Sequence, residues 1–472
     1  ARYRSSSLTD EQLQKLFESE YAKDNEVFMQ FALMNVNRQI TINPNVLTEL
    51  LSSKSQLIKL QLAKALNFFG ADSTTSYKEF IEFYANFLND SNPNVALQTA
   101  VSIKNIKYVL NDTLKILVTN KIDSLMFDFT KPISFRGELF LSRFELFGSY
   151  GEHENMLSEF GLPIKYQIQF YAKNPNAEKA ANMLFESFGR SFRTKDKIDI
   201  LQKILEIKDK ISYSNSLRIV LMNALKSVNA PFISLAADGI NSLFISENSK
   251  QLKEIISDQI DKYKDNPNYL EATISLVNLA EKIDKDFYMT ILEKVKSSEL
   301  FSIRKFYSIK TGDKQIGFKE LDKFEDIWSY AFKYKQAVIR TSKGEVVIEF
   351  DSEIAPISVA NFCMLAKQNF YEGIAFHRVV PGFVIQAGDP TATGWGGPGY
   401  DIVSEYSDTD FGIGYVGMAS AGKDTESSQF FIMQGSHPHL DSRYTLFAKV
   451  IEGMDVVYNI TEEDLIISIE LK

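Results

Sequence analysis

Three places in the last third of the chain carry residue types that could do chemistry. In Phe376-His377-Arg378-Val379-Val380-Pro381-Gly382-Phe383-Val384-Ile385-Gln386-Ala387-Gly388-Asp389, Arg378 sets an always-charged guanidinium into a largely apolar run. Such a group can donate several hydrogen bonds toward developing lone-pair density, although Arg378 alone would also fit a solvated surface charge beside core Phe residues. His437-Pro438-His439 has the look of a metal site, yet neither Cys nor a further His stands at ligand spacing nearby, so no metal is expected. Gly394-Trp395-Gly396-Gly397-Pro398-Gly399 is glycine-rich like a phosphate loop. It lacks the strand–loop–helix context and the following Lys, and is expected as a surface loop.

The elements that must position these residues change character along the chain. Residues 8–330 read as helix after helix. Apolar residues recur at three and four, as in Leu13, Leu16, Phe17 and Tyr21, or Ile255, Ile256, Ile260 and Tyr263. Breaks fall at Asn43-Pro44-Asn45, Gly70-Ala71-Asp72-Ser73 and Asp90-Ser91-Asn92-Pro93-Asn94. Ile58, Leu62, Ala63, Leu66 and Phe69 match Val95, Thr99, Ala100, Ile103 and Ile106 at a fixed offset. The pattern returns at Phe232, Ala236, Ala237, Ile240 and Leu243. A small residue at each centre lets a neighbouring helix approach closely. The pattern resembles HEAT repeats, whose period is about 40 residues. It predicts an all-α solenoid, with an unrelated helical bundle as the alternative.

The period then shortens. Residues 1–7 are expected as a flexible N-terminus, 331–335 as a linker and 336–472 as a separate module. Ala337-Val338-Ile339-Arg340-Thr341 and Glu345-Val346-Val347-Ile348-Glu349-Phe350 read as strands joined at Ser342-Lys343-Gly344. A helix is expected from Pro356 to Gln368 and a closing strand within Asp464–Ile469. Cys363 lies in that helical pattern and is expected as a small buried hydrophobe, which leaves the redox compartment open.

Composition bounds the rest. With 472 residues, 44% hydrophobic and 24% charged, the chain is long enough for several domains of ordinary globular composition. The net charge of −9 argues against a general nucleic-acid binder. Residues 336–472 hold eight Lys and Arg against nineteen Asp and Glu, so the module is acidic and the remainder nearly neutral. No apolar run is long enough for a membrane span. The chain opens Ala1-Arg2-Tyr3-Arg4 without Met, as after trimming or removal of a targeting segment. The expectation drawn from this is a periplasmic protein, with or without a lipid anchor, a cytoplasmic one being the alternative.

Phe376–Asp389, together with Gly417-Met418-Ala419-Ser420-Ala421-Gly422, Ser428-Gln429-Phe430-Phe431-Ile432 and Leu440-Asp441-Ser442-Arg443-Tyr444-Thr445-Leu446-Phe447, resembles the cyclophilin family. The resemblance covers only the C-terminal module. It implies a closed β-barrel with flanking helices and a peptidyl-prolyl cis-trans isomerase activity without cofactor. Rotation about a peptide bond meets a barrier of about 18–20 kcal/mol because the nitrogen lone pair is delocalised. Arg378 would donate toward that nitrogen in the twisted state, assisted by Gln386. By the same resemblance Phe383, Val384, Phe431 and Leu440 would hold the proline, with Tyr444 at the rim and His439 beside it. Ala419, Ser420 and Gln429 would line the groove for the flanking peptide, next to the glycine-rich loop. Three positions depart from the common pattern: His439 where many relatives have Trp, Tyr444 where many have His, and Ser420 where many have Asn. The first puts cyclosporin sensitivity in question. The expected partners are proline-containing unfolded or extended polypeptides, with an outer-membrane assembly or secretion complex as a docking partner. The helical region would hold clients or dock the module. A scaffold whose module only binds proline-containing segments is the alternative.

Overall fold

The structure is a computed structural model that describes residues 9–19, 25–34, 40–41, 49–50, 52–65, 69–70, 84–104, 112–211, 215–313, 328–462 and 464–472. The expected N-terminal segment 1–7 and the breaks at Asn43-Pro44-Asn45 and Ala71-Asp72-Ser73 lie outside the described residues, as do Tyr21, Leu66 and Ile106.

The N-terminal part is an arm of helices: α1 (Asp10–Glu18), α2 (Glu26–Met34), α3 (Gln56–Ala65), α4 (Pro93–Ser102), α5 (Asp112–Met126), α6 (Ile133–Phe147), α7 (Tyr150–Phe160) and α8 (Ile164–Tyr171). It continues with α9 (Ala177–Arg190), α10 (Thr194–Ile207), α11 (Asn215–Leu225), α12 (Ala230–Gly239), α13 (Ser242–Tyr263), α14 (Leu270–Ile283), α15 (Lys285–Lys296) and α16 (Phe301–Thr311). Local chemistry sets many boundaries. Asn92 accepts from the backbone N–H groups of Asn94 and Val95 and precedes Pro93, while Asn176, Asn241 and Asp284 cap α9, α13 and α15 in the same way. Gly148 and Gly312 end α6 and α16 in the left-handed region that L side chains resist.

The arm helices pack in two rows. From α4, contacts run to α6, α8, α10, α12, α14 and α16 in turn, forming one row, while α9, α11, α13 and α15 form the other. Two of the three stretches matched in the sequence begin in helices of the first row, α4 and α12, and the third begins in α3, which packs on α4; their central residues Ala63, Ala100, Ala236 and Ala237 are buried. Leu243 departs from the pattern. It falls at the start of α13 and is exposed.

The C-terminal module is one antiparallel sheet with strands β1 (Gln336–Thr341), β2 (Gly344–Phe350), β3 (Arg378–Val380), β4 (Val384–Ala387), β5 (Tyr415–Met418), β6 (Phe430–Met433), β7 (Leu446–Glu452) and β8 (Ile466–Leu471). Their order is β8-β1-β2-β7-β5-β6-β4-β3. Among the described residues the edge strands β8 and β3 do not pair, so the expected closed barrel is a curled half-barrel. An isolated Ala375–Leu465 bridge lies near the gap. The module helix α17 (Pro356–Lys367) packs on β7 and β8, and Cys363 within it is fully buried, its thiol pushed up to about 12 by desolvation. Glu405, distant in sequence, accepts hydrogen bonds from the N–H groups of Ile357 and Ser358 and from the Ser358 hydroxyl, satisfying donors of the first turn. Ala331, in the segment between arm and module, is buried against Ala360 and Met364.

The arm lies against the module, and the polar contacts come from the first row and the helices leading into it. Gln30 bonds both the N–H and the carbonyl of Ser436. Gln61 on α3 donates to the Gly382 carbonyl at 3.0 Å. On α4, Asn94 donates to the carbonyls of Tyr458 and Ile460 at 2.8 and 2.7 Å, and Asn92 adds a bond to Tyr458. Tyr458, on the short helix α18 (Met454–Asn459), joins the apolar core of the arm. Lys165 on α8 pairs with Glu462 at 3.1 Å. At the far end, Ser302 and Lys305 on α16 bond Asp424.

Candidate functional site

Strand alternation sorts the site residues. On β4, Ile385 and Ala387 enter the main core of the sheet, while Val384 joins a smaller apolar cluster on the opposite face and Gln386 shares that face. On β6, Phe430 and Ile432 face the main core; Phe431 and Met433 face the smaller cluster. That cluster also includes Phe411, Leu440 and Leu446, with Phe383, Ala419 and Tyr444 packed against it. Gly417 pairs with Phe431, and a Cβ there would come within 2.4 Å of the Phe431 ring, so the close approach requires glycine.

Register places Arg378 opposite Gln386 across β3 and β4. Arg378 Nη1 donates to Gln386 Oε1 at 3.4 Å, Gln386 Nε2 to Gln429 Oε1 at 3.0 Å, and Gln429 Nε2 to the carbonyls of Gly394 and Gly396 at 2.9 and 3.0 Å. The guanidinium lies 5.8 Å from the Phe383 ring centre. Among the described residues no carboxylate stands within ion-pair distance of Arg378, so its charge is left for something that enters the groove. Burial lowers the pKa of neighbouring His377, which keeps that imidazole neutral near pH 7.

A cavity of about 740 Å³ opens over the apolar cluster. It is lined by Arg378, Gln386, Phe383, Val384, Ala419, Ser420, Phe431, His439, Leu440 and Tyr444. Gln429 lies just beyond, lining an adjoining cavity of about 150 Å³ that also takes in Gln386, Ala419 and Ser420. The eleven positions expected from the sequence are thus gathered in one place.

The glycine-rich loop borders this second cavity, and its shape is set by a residue that sequence reading passed over. Asp389 accepts from the N–H groups of Thr391, Thr393 and Gly394. Burial alone would raise its pKa, but bonds from Thr391 and the loop backbone outweigh this and hold the carboxylate below its usual value. Support for Phe383 was also missed. Gln434 accepts from the N–H of Gly382 at 2.7 Å, and the Gly382 carbonyl is bonded by His437 Nε2 and Gln61. His437, singled out above only as half of a doubtful metal pair, packs its ring 4.7 Å from Phe383. Burial pushes it down to about 4. Tyr406 and Arg443 complete the cavity rim. Arg443 lies within the Leu440–Phe447 stretch but was not singled out there, whereas Tyr406 comes from a loop outside the quoted stretches and no short-range signal marks it.

The sequence of the module is similar to those of known proteins. The family described as cyclophilin type peptidyl-prolyl cis-trans isomerase/CLD matches residues 337–467. A peptidyl-prolyl cis-trans isomerase of Synechococcus elongatus is 43% identical over 138 residues, which is 29% of this chain and 95% of that protein. Peptidyl-prolyl cis-trans isomerase B of Bacillus subtilis is 45% identical over 124 residues, 26% of this chain and 87% of the relative. A solved cyclophilin type isomerase of Cryptosporidium parvum is 30% identical, covering 29% of this chain and 98% of its own, with a TM-score of 0.28. Through its C-terminal module, the chain belongs to the family of cyclophilin type peptidyl-prolyl cis-trans isomerases.

Proposed function

We propose that the cavity over Phe383, Phe431 and Leu440 holds the proline ring of a client and that Arg378 catalyses rotation of the preceding bond. In the planar amide the nitrogen lone pair is delocalised. In the twisted state it becomes a localised acceptor, and a charged donor aimed at it stabilises that state more than either ground state. Gln386 orients Arg378, and Gln429 orients Gln386 in turn. Ala419 and Ser420 line the path of the flanking peptide, with His439 and Tyr444 at the mouth of the proline cavity. The observation that carries the reading is the Arg378–Gln386–Gln429 chain of hydrogen bonds beside an apolar cavity, with no carboxylate on Arg378 among the described residues. Uncatalysed X–Pro isomerisation takes tens to hundreds of seconds, slow enough to limit folding, so the activity suits a foldase. In this reading the arm is a HEAT-like stack of helix pairs that holds clients, and its two-row packing supports that assignment.

The test is isomerisation of a short X–Pro peptide by the full chain and by Arg378→Ala. Acceleration by the native chain, lost in the variant while its melting curve is unchanged, supports the assignment. Equal turnover by both would remove Arg378 from the mechanism, and binding without acceleration by either would leave a proline-binding scaffold.

A further inference from the structure

Arg378 and Gln386 do not belong to the proline cavity alone. On the side turned toward the arm they border another cavity, of about 670 Å³, whose opposite wall is built by helices of the first row. Most of that wall is α10, which contributes Lys195, Asp199, Gln202, Lys203 and Glu206. These positions recur at three and four and so share one face. α6 adds Glu138 and α8 adds Lys165. On the far side of Gln386, the small cavity that includes Gln429 also meets the arm, at Asn268 and Glu271. The proline cavity is thus flanked on two sides by space that the arm encloses.

The chemistry of the larger cavity is of mixed sign. Its ionisable lining comprises four carboxylates (Glu138, Asp199, Glu206, Glu462), three lysines (Lys165, Lys195, Lys203), Arg378 and the neutral His377. Lys165 bonds Glu462 and Lys203 bonds Glu206. Glu138, Asp199 and Lys195 make no hydrogen bond or ion pair among the described residues. Desolvation raises the pKa of Glu138 and Asp199, as for groups held in a sheltered space. Balanced charge does not suit a polyanion or a polycation. It does suit a chain that presents N–H donors and carbonyl acceptors in alternation, and the volume falls within the range of pockets that hold sizeable ligands.

We propose that this cavity is a client subsite: it takes the stretch of extended polypeptide that flanks the proline held in the adjoining cavity. Its α10 face then discriminates among clients. The inference rests on the reading of the proline cavity as the isomerase site. It narrows the substrate class to extended chains with several residues free beside the proline. A proline in a tight loop of a folded protein cannot pass between arm and module.

The test uses the full chain and two probes: a tetrapeptide containing X–Pro, and an unstructured peptide of about a dozen residues, ~40 Å when extended, around the same X–Pro. Two variants alter the wall, Gln202→Trp at an exposed position to fill the cavity, and Asp199→Lys to upset its charge balance. The expected result is a fall of about fivefold or more in the ratio of kcat/KM for the long peptide to that for the short one, a change equivalent to ~1 kcal/mol. A photoreactive group on the long peptide, placed a few residues from the proline, should label α10. An unchanged ratio in both variants, or labelling confined to the sheet, would overturn the subsite and leave the isomerase reading standing. Failure of the native chain on both peptides would bring down the reading itself and the subsite with it.

Discussion

The two walls that meet at Arg378 are built on opposite principles. The module wall is made of strand residues in fixed register, with side chains bonded in a chain from Arg378 to the glycine-rich loop over an apolar cluster. Every member has a partner or a packed neighbour, which orients the donors as the proposed catalysis would require. The arm wall is made of long charged side chains on α10 and its neighbours, some paired and some not. Such side chains keep rotamer freedom and can adapt to varied partners. The contrast suits a division of labour in which one wall acts on the constant feature of all clients, the X–Pro bond, and the other meets the variable sequence beside it.

The largest expected effect tests the rigid wall. Arg378→Ala should lower kcat/KM on a short peptide by about 10²–10³-fold, ~3–4 kcal/mol, as for loss of one oriented donor. Arg378→Lys should restore little, because an ammonium lacks the planar fork. A stopped-flow or protease-coupled isomerisation assay reads both, and near-normal turnover in the alanine variant would show that the two walls do not differ in this way.

The support beneath Phe383 should depend on pH. His437 is depressed by burial from 6.5 to about 4, so its contribution to stability is present above pH 6.5 and is lost as pH falls through about 4. At 1.36 kcal/mol per unit the ceiling is about 3 kcal/mol. Denaturant melts at the two ends of this window should show a smaller loss for His437→Gln than for the native chain. An identical loss would mean that the imidazole does not couple to folding.

Where the arm grips the module, neutral bonds and charged pairs should behave differently. Asn94→Ala removes the donor to two buried carbonyls and should cost about 2 kcal/mol of unfolding free energy. On the groove itself, His439→Trp should tighten cyclosporin binding by about tenfold, ~1.4 kcal/mol, since an indole covers more apolar surface. Calorimetric titration of both forms decides this, and already tight binding by the native protein would contradict it. The smallest effect belongs to Lys305→Ala, which breaks the pair with Asp424 at the far end of the arm. Because the lysine is partly exposed, less than about 1 kcal/mol should be lost, and less again at high salt. A larger loss than that of Asn94→Ala would show that the charged pair, and not the buried neutral bonds, dominates the hold of the arm on the module.

Much of the module was legible in sequence because its signals are short-range. Val384, Gln386 and the intervening Ile385 alternate between two faces by strand geometry alone, and the hairpin at Ser342–Lys343 needs only its local turn. Pro356 announces α17 at its first turn. The support residues were not legible for the opposite reason. Gln434 and His437 look like ordinary polar residues until the turn at Gly382 is folded onto them.

By itself the sequence determined the kind of chemistry, the eleven groove positions, the change from helical to strand periodicity near Tyr334 and the small residues at the centres of repeated helices. The last two rest on residue type and spacing within a few turns or strands, whereas the chemistry and the groove positions rest on the resemblance of the quoted stretches to the cyclophilin family. The tertiary structure alone decided that the half-barrel stays open, that the first row and the helices leading into it carry the polar contacts to the module and that a charged arm wall stands across from Arg378. Gln61 reaches Gly382 and Asn94 reaches Ile460 across more than 300 residues of chain. Those pairings depend on how two cores set their faces together, and no local pattern in either partner encodes the other.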